Sequence, residues 1–110
     1  MAKKRDYRTL NQVTEEYYRN HPDEIEDYLT AAFEEYSKDG CTPALLAQLR
    51  IIARVKGISA LAEKTGISRN GIQKALSETG NPKFASVSAI IHAMGYQLMP
   101  KQTPYNVHIS

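Results

Sequence analysis

Residues 58–76, ISALAEKTGISRNGIQKAL, read as two short helices around a tight turn. Ser59 is placed to cap a first helix over residues 60–64. Gly66 follows, and glycine reaches positive φ without the steric cost other residues meet. Ser68 can then cap a second helix over residues 69–76. Three positions tie the two helices together. Ala62 is small where they would cross, Gly66 lies four residues on in the turn, and Ile72 lies six beyond that, where the second helix must face inward. A small residue, a glycine and a β-branched apolar residue at those offsets make the pattern of a DNA-binding helix-turn-helix. Leu61 and Ile67 are apolar at the flanking core positions, which fits.

The outward positions of the second helix carry matching chemistry. Arg69, Asn70, Gln73 and Lys74 are long or amide side chains with no acid among them. Arginine forks onto a guanine edge, and asparagine or glutamine pairs bidentately with adenine, so these four are the candidate base readers. The competing reading is a solvated helix on a small helical domain that never meets nucleic acid. Gly71 is unusual inside such a helix. It costs roughly 1 kcal/mol of helix propensity relative to alanine, and it would let the backbone approach a groove or a methyl group closely. The polar loop after the helix, SETGNPK, holds Ser77, Thr79, Asn81 and Lys83 where phosphates flanking a groove would lie. It serves equally well as an ordinary connection. Ser59, Ser68, Lys64 and Arg54 complete the candidate phosphate contacts.

Charge is unevenly placed. Residues 1–40 carry six Lys/Arg against ten Asp/Glu, and residues 41–110 carry eight against two. The sharpest block is 15–39, with nine acids against Arg19 and Lys38. One half suits a polyanion and the other a basic partner, unless both are solvated faces.

The rest of the chain reads as helices. Residues 1–8 are a loose basic arm. Residues 9–20 read either as a short helix or as an extended strip; Thr9 followed by Gln12 is a weak capping box for the helix, which would set Leu10, Val13, Tyr17 and Tyr18 on one face. Pro22 suits a first helical position, and Ile25, Tyr28, Leu29, Ala32, Phe33 and Tyr36 recur at spacings of three and four until Asp39-Gly40. The tyrosines either pack on the domain that follows or form a half-wet surface for a partner. Thr42-Pro43 starts the next helix as cap and first residue, Leu45, Leu49, Ile52 and Ala53 line its inner side, and Gly57 stops it. Lys83 or Phe84 opens a last helix, with Phe84, Val87, Ile90, Ile91 and Met94 as its stripe. Residues 96–99 alternate once, as a short strand before Pro100 would. Residues 100–110 are a flexible tail with two strand-like residues, Val107 and Ile109.

Several functional classes fall away. No apolar run approaches the ~18 residues of a membrane span. The basic N-terminus has no apolar stretch behind it, so it is not a secretory signal. One cysteine, Cys41, rules out an internal disulfide framework and fits a bacterial cytoplasm. His21, His92 and His108 are scattered, so neither metal nor cofactor is expected. No paired carboxylates, no nucleophile with a histidine and no phosphate-binding glycine loop point to an enzyme.

The expected architecture is all-α: an arm and acidic tyrosine-rich helical segment over 1–40, a helix-turn-helix domain over 41–99, and the tail. Residues 43–95, four helices with the pair in the middle, resemble the phage-repressor type of DNA-binding domain, the XRE or Cro type. One branch is closer. EDYLTAAFEE at 26–35, Leu61-Ala62 to Gly66, Gly66-Ile67-Ser68-Arg69, and Lys74-Ala75-Leu76-Ser77 followed by Gly80-Asn81-Pro82 resemble the addiction-module antidote proteins, the HigA-like antitoxins. The resemblance covers roughly residues 26–98. It implies an antitoxin that blocks a small basic RelE/ParE- or HigB-like toxin and represses its own operon as a homodimer on double-stranded operator DNA, nucleoid-associated when bound. Joined to the charge pattern, it assigns the toxin contact to the acidic segment: Tyr17, Tyr18, Tyr28, Tyr36, Glu34 and Glu35. Many repressors of the broad type open the first helix of the pair with glutamine. Here the shorter Ser59-Ala60-Leu61-Ala62 stands instead, which passes that phosphate contact to Ser59 or elsewhere. A plain repressor without a toxin, and an interaction module that keeps the fold without binding DNA, are the rival functions.

Overall fold

A computed structural model describes residues 9–104. The basic arm over 1–8 and the tail end with Val107 and Ile109 lie outside the described residues. Six α-helices follow one another: α1 (Leu10–Asn20), α2 (Ile25–Asp39), α3 (Thr42–Lys56), α4 (Ile58–Thr65), α5 (Arg69–Ala75) and α6 (Phe84–Ala93). A single 3₁₀ turn, Pro22–Glu24, leads into α2.

Helix α3 is the axis of the packing. Leu45, Leu46, Leu49, Ile51, Ile52 and Ala53 are all buried, more than one narrow stripe would need. The reason is that α3 has more than one neighbour. Helices α1, α2 and α4 all pack on it, and α4 in turn holds α5 and α6. Ile25, Leu29 and Ala32 of α2 therefore share one apolar cluster with Leu61, Ile72, Leu76, Ile90, Ile91 and Met94. Each fully buried Leu or Ile contributes about 1.5–3 kcal/mol relative to exposure.

Helix starts follow the backbone bonds actually closed. Thr9 and Gln12 form the full capping box of α1: Thr9 Oγ1 accepts from the Gln12 N–H at 3.1 Å, and Gln12 Oε1 accepts from the Thr9 N–H at 2.8 Å. Ser59 does not cap α4. The Leu61 N–H already bonds the Gly57 carbonyl at 3.1 Å, so the helix begins at Ile58 and Ser59 is an exposed second residue. Thr42 is likewise inside α3 rather than capping it. The first bond closes on the Cys41 carbonyl, and the Cys41 N–H donates to Asp39 Oδ1 at 2.9 Å.

Three apolar expectations change. Phe84 is 74% exposed at the head of α6, while Ile90, Ile91 and Met94 go inward. Only Tyr18 of the expected α1 face packs against the core; Leu10, Val13 and Tyr17 point away from it. The expected strand over 96–99 is absent, and the described residues contain no strand. Tyr96 and Leu98 do turn inward and alternate with exposed Gln97 and Met99, but they pack on helices and have no extended neighbour to complete a ladder.

Candidate nucleic-acid interface

The local chemistry of the turn sets the direction of α5. Gly66 ends α4 at φ 78°, a left-handed conformation that glycine adopts freely. Thr65 then pins the turn from within: its hydroxyl donates to the Leu61 carbonyl at 2.8 Å and accepts from the Ile67 N–H at 3.1 Å. Ser68 caps α5 as expected, with Oγ accepting from the Gly71 N–H at 2.9 Å. Gly71 sits tightly in this corner. A Cβ there would lie 2.9 Å from Ile67 Cγ2 and 3.1 Å from Ser68 Oγ. Its lack of a side chain is thus accounted for by the packing of the turn.

Two faces of α5 separate cleanly. At about 100° per residue, positions 69, 70, 73 and 74 span about 140° of arc. Arg69, Asn70, Gln73 and Lys74 are all exposed there, whereas Ile72 has no exposure and Leu76 is 1% exposed. Arg50 of α3 fixes the other end: its Nη1 donates to the Leu76 carbonyl just past the last turn. That contact was hidden in the sequence, where Arg50 is one of several cations near a helix C-terminus.

The candidate phosphate contacts do not form one array. Arg54, Gln73 and Ser77 come together, lining with Arg50, Ile72 and Leu76 a shallow hollow of about 310 Å³. Arg54 is already paired, its Nη1 3.2 Å from Glu15 Oε2. Glu15 is the one buried charged residue among those described, and Arg19 approaches its other oxygen at 4.0 Å. Ser77 donates its hydroxyl to the Lys74 carbonyl at 2.9 Å. Lys64 lines a different hollow, with Thr65, Ala89 and His92. Ser59, Ser68, Thr79, Asn81 and Lys83 are exposed.

The tyrosines divide. Tyr18 and Tyr28 meet at 4.6 Å between ring centres and pack on the core. Burial raises both phenols above their ordinary value, with help from the Glu24 carboxylate for Tyr18 and from Tyr18 for Tyr28. Tyr17 stands outside, stacked on His21 at 4.1 Å and edge-on to Tyr18 at 5.0 Å. Its hydroxyl donates to Glu24 Oε1 at 2.8 Å, and that hydrogen bond raises its phenol as well. Tyr36 is exposed and lies apart from these ring contacts. Glu34 and Glu35 are exposed, with Lys101 Nζ 3.5 Å from Glu34 and Lys38 Nζ 3.8 Å from Glu35. No described group of His, Cys, Asp and Glu is placed to hold a metal ion, and no described helix is long and apolar enough to cross a membrane.

Residues 9–102 match the family model described as probable addiction module antidote protein. An uncharacterized protein of Haemophilus influenzae is 37% identical over 83 residues, covering 76% of this chain and 81% of that one. No solved structure matches significantly.

Proposed function

From its place in the addiction module antidote family, to which the chain belongs, we infer a DNA-binding antitoxin. An antidote family is a family of inhibitors, not of enzymes, and it implies a toxin as partner. The finer reading is that the chain dimerises about a twofold axis on its own operator, represses the operon, and neutralises a small basic RelE/ParE-like toxin through its acidic N-terminal half.

The observation that carries the DNA reading is the split of α5. Ile72 anchors the helix at zero exposure, while Arg69, Asn70, Gln73 and Lys74 all project to solvent from the opposite side. A twofold dimer would set two such helices in major grooves with half-site centres ~34–36 Å apart, or a multiple of that. Lys64, Lys83, Ser59, Ser68, Thr79 and Asn81 have exposed side chains for flanking phosphates. Arg54 and Ser77 are held by internal partners and rank behind them.

The test is co-expression with the product of the neighbouring small gene, followed by pull-down and a gel shift on the module's promoter. A complex that retards the promoter supports an autoregulating antitoxin. Promoter binding without a partner leaves a plain repressor, and a partner without DNA binding leaves an interaction module.

A further inference from the structure

We propose that the outward stripe of α1, formed by Leu10, Val13 and Tyr17, is the anchor that the chain seats in an apolar groove of a basic partner protein. This rests on the antitoxin reading and makes the toxin that partner.

Among the described residues the stripe is open to solvent. Leu10 is 81% exposed, Val13 45% and Tyr17 43%, although α1 is packed against α3 through Glu15 and Tyr18. At about 100° per residue the three positions fall within about 60° of arc. Spacing of i, i+3 and i+7 is what a helix shows when it lies in a groove of another protein. The stripe is also held ready. The capping box fixes the first turn at Leu10. The Tyr17 ring is clasped by His21 and Tyr18, and its hydroxyl is bonded to Glu24. An anchor with its rotamer already set loses little side-chain entropy on binding.

Charge selects the occupant. Only Tyr17 of the stripe falls inside the acidic block over 15–39, but across residues 9–27 six acids stand against Arg19, and Asp23, Glu26 and Asp27 are exposed just beyond the end of α1. Nucleic acid is repelled from such a face. A second copy of the chain would bring a second acidic set opposite the first, which like-charge repulsion disfavours. A protein with an apolar groove and a cationic rim matches on both counts.

The test uses the full chain with Leu10→Ala and Val13→Ala together, and Tyr17→Ala separately. Alanine keeps α1 helical, and the positions lie off the core, so circular dichroism and promoter gel shift should match the wild type. The probe is the co-expressed product of the neighbouring gene, read by growth protection and by titration calorimetry. Each variant is expected to bind it at least ~30-fold more weakly, the size of an interface hot spot. Binding within ~3-fold of wild type overturns the stripe and leaves the antitoxin reading standing. If the wild type itself neither binds nor protects, the antitoxin reading fails and the stripe with it. If the variants instead turn a sedimenting dimer into a monomer with toxin affinity unchanged, a second copy is the occupant and the proposal is overturned.

Discussion

Gly71→Ala sets two opposing effects against each other in the one helix on which the DNA reading depends. Alanine gains roughly 1 kcal/mol of helix propensity over glycine. Against that, the new Cβ would stand 2.9 Å from Ile67 Cγ2 and 3.1 Å from Ser68 Oγ. Cγ2 is a branch methyl next to the backbone, and isoleucine is stiff at χ1, so it cannot swing aside. Overpacking of this kind costs about 1–3 kcal/mol. Displacing Ser68 also weakens the cap of α5, worth about 1 kcal/mol. The steric side wins, by roughly 1–2 kcal/mol. For a domain of this size that lowers Tm by roughly 5–15 °C. The assay is thermal unfolding by circular dichroism of Gly71→Ala, Ile67→Ala and the double variant. Removing Cγ2 relieves the overlap, so alanine at 71 should be far less harmful, or stabilising, in the Ile67→Ala background. A single Gly71→Ala variant with raised Tm would refute the steric reasoning. An unchanged Tm with lost promoter binding would show that the glycine serves close approach to the groove instead.

Four further outcomes are expected. Gln73→Ala should leave Tm unchanged and relax selection at one base pair by about 1–3 kcal/mol, measured by site selection before and after the change; an unaltered preference removes Gln73 from the base readers. Gly80→Ala should destabilise by roughly 2–3 kcal/mol, because its Cβ would meet the Ala75 carbonyl at 2.5 Å and backbone cannot yield cheaply; a Tm within a degree of wild type contradicts this. Glu15→Ala should raise hydrogen exchange in α1 and leave α5 unchanged, since the lost partner of Arg54 and Arg19 joins α1 to α3; uniform exchange would show that the pair contributes nothing local. Alkali should loosen the same junction. Tyr18 and Tyr28 have phenols raised above 10.0 in the fold, so their stabilisation is complete below that pH and is lost as pH rises through the folded values. Tyrosinate absorbance should therefore appear together with loss of helical signal, and ionisation of all tyrosines near their ordinary value with helix intact would contradict it.

The turn unit was legible in the sequence because its signals are local. Gly66 sets φ, Ser68 supplies an oxygen three residues before the N–H it accepts, and Ile72 falls on the inner side by helical period alone. Each needs only residues a few positions away. The capping box of α1 was readable on the same ground. What escaped depends on distant partners. Arg50 reaches a carbonyl 26 residues away, and Glu15 pairs with an arginine 39 residues away, and no spacing rule encodes either. Apolar period shows that a helix has a face but not what covers it. Val87, Ile90 and Met94 were placed correctly because α4 and α5 lie against α6, yet Phe84 at the head of the same stripe extends beyond them. The same gap governs α1. Leu10, Val13 and Tyr17 satisfy the rule for a buried face, and within one chain that rule fails, because Glu15 and Tyr18 take the side facing α3. A periodic apolar stripe left outside the fold of a chain whose family name implies a partner is most simply completed by that partner. The outward stripe of α1 is therefore the first place to test the proposed toxin contact.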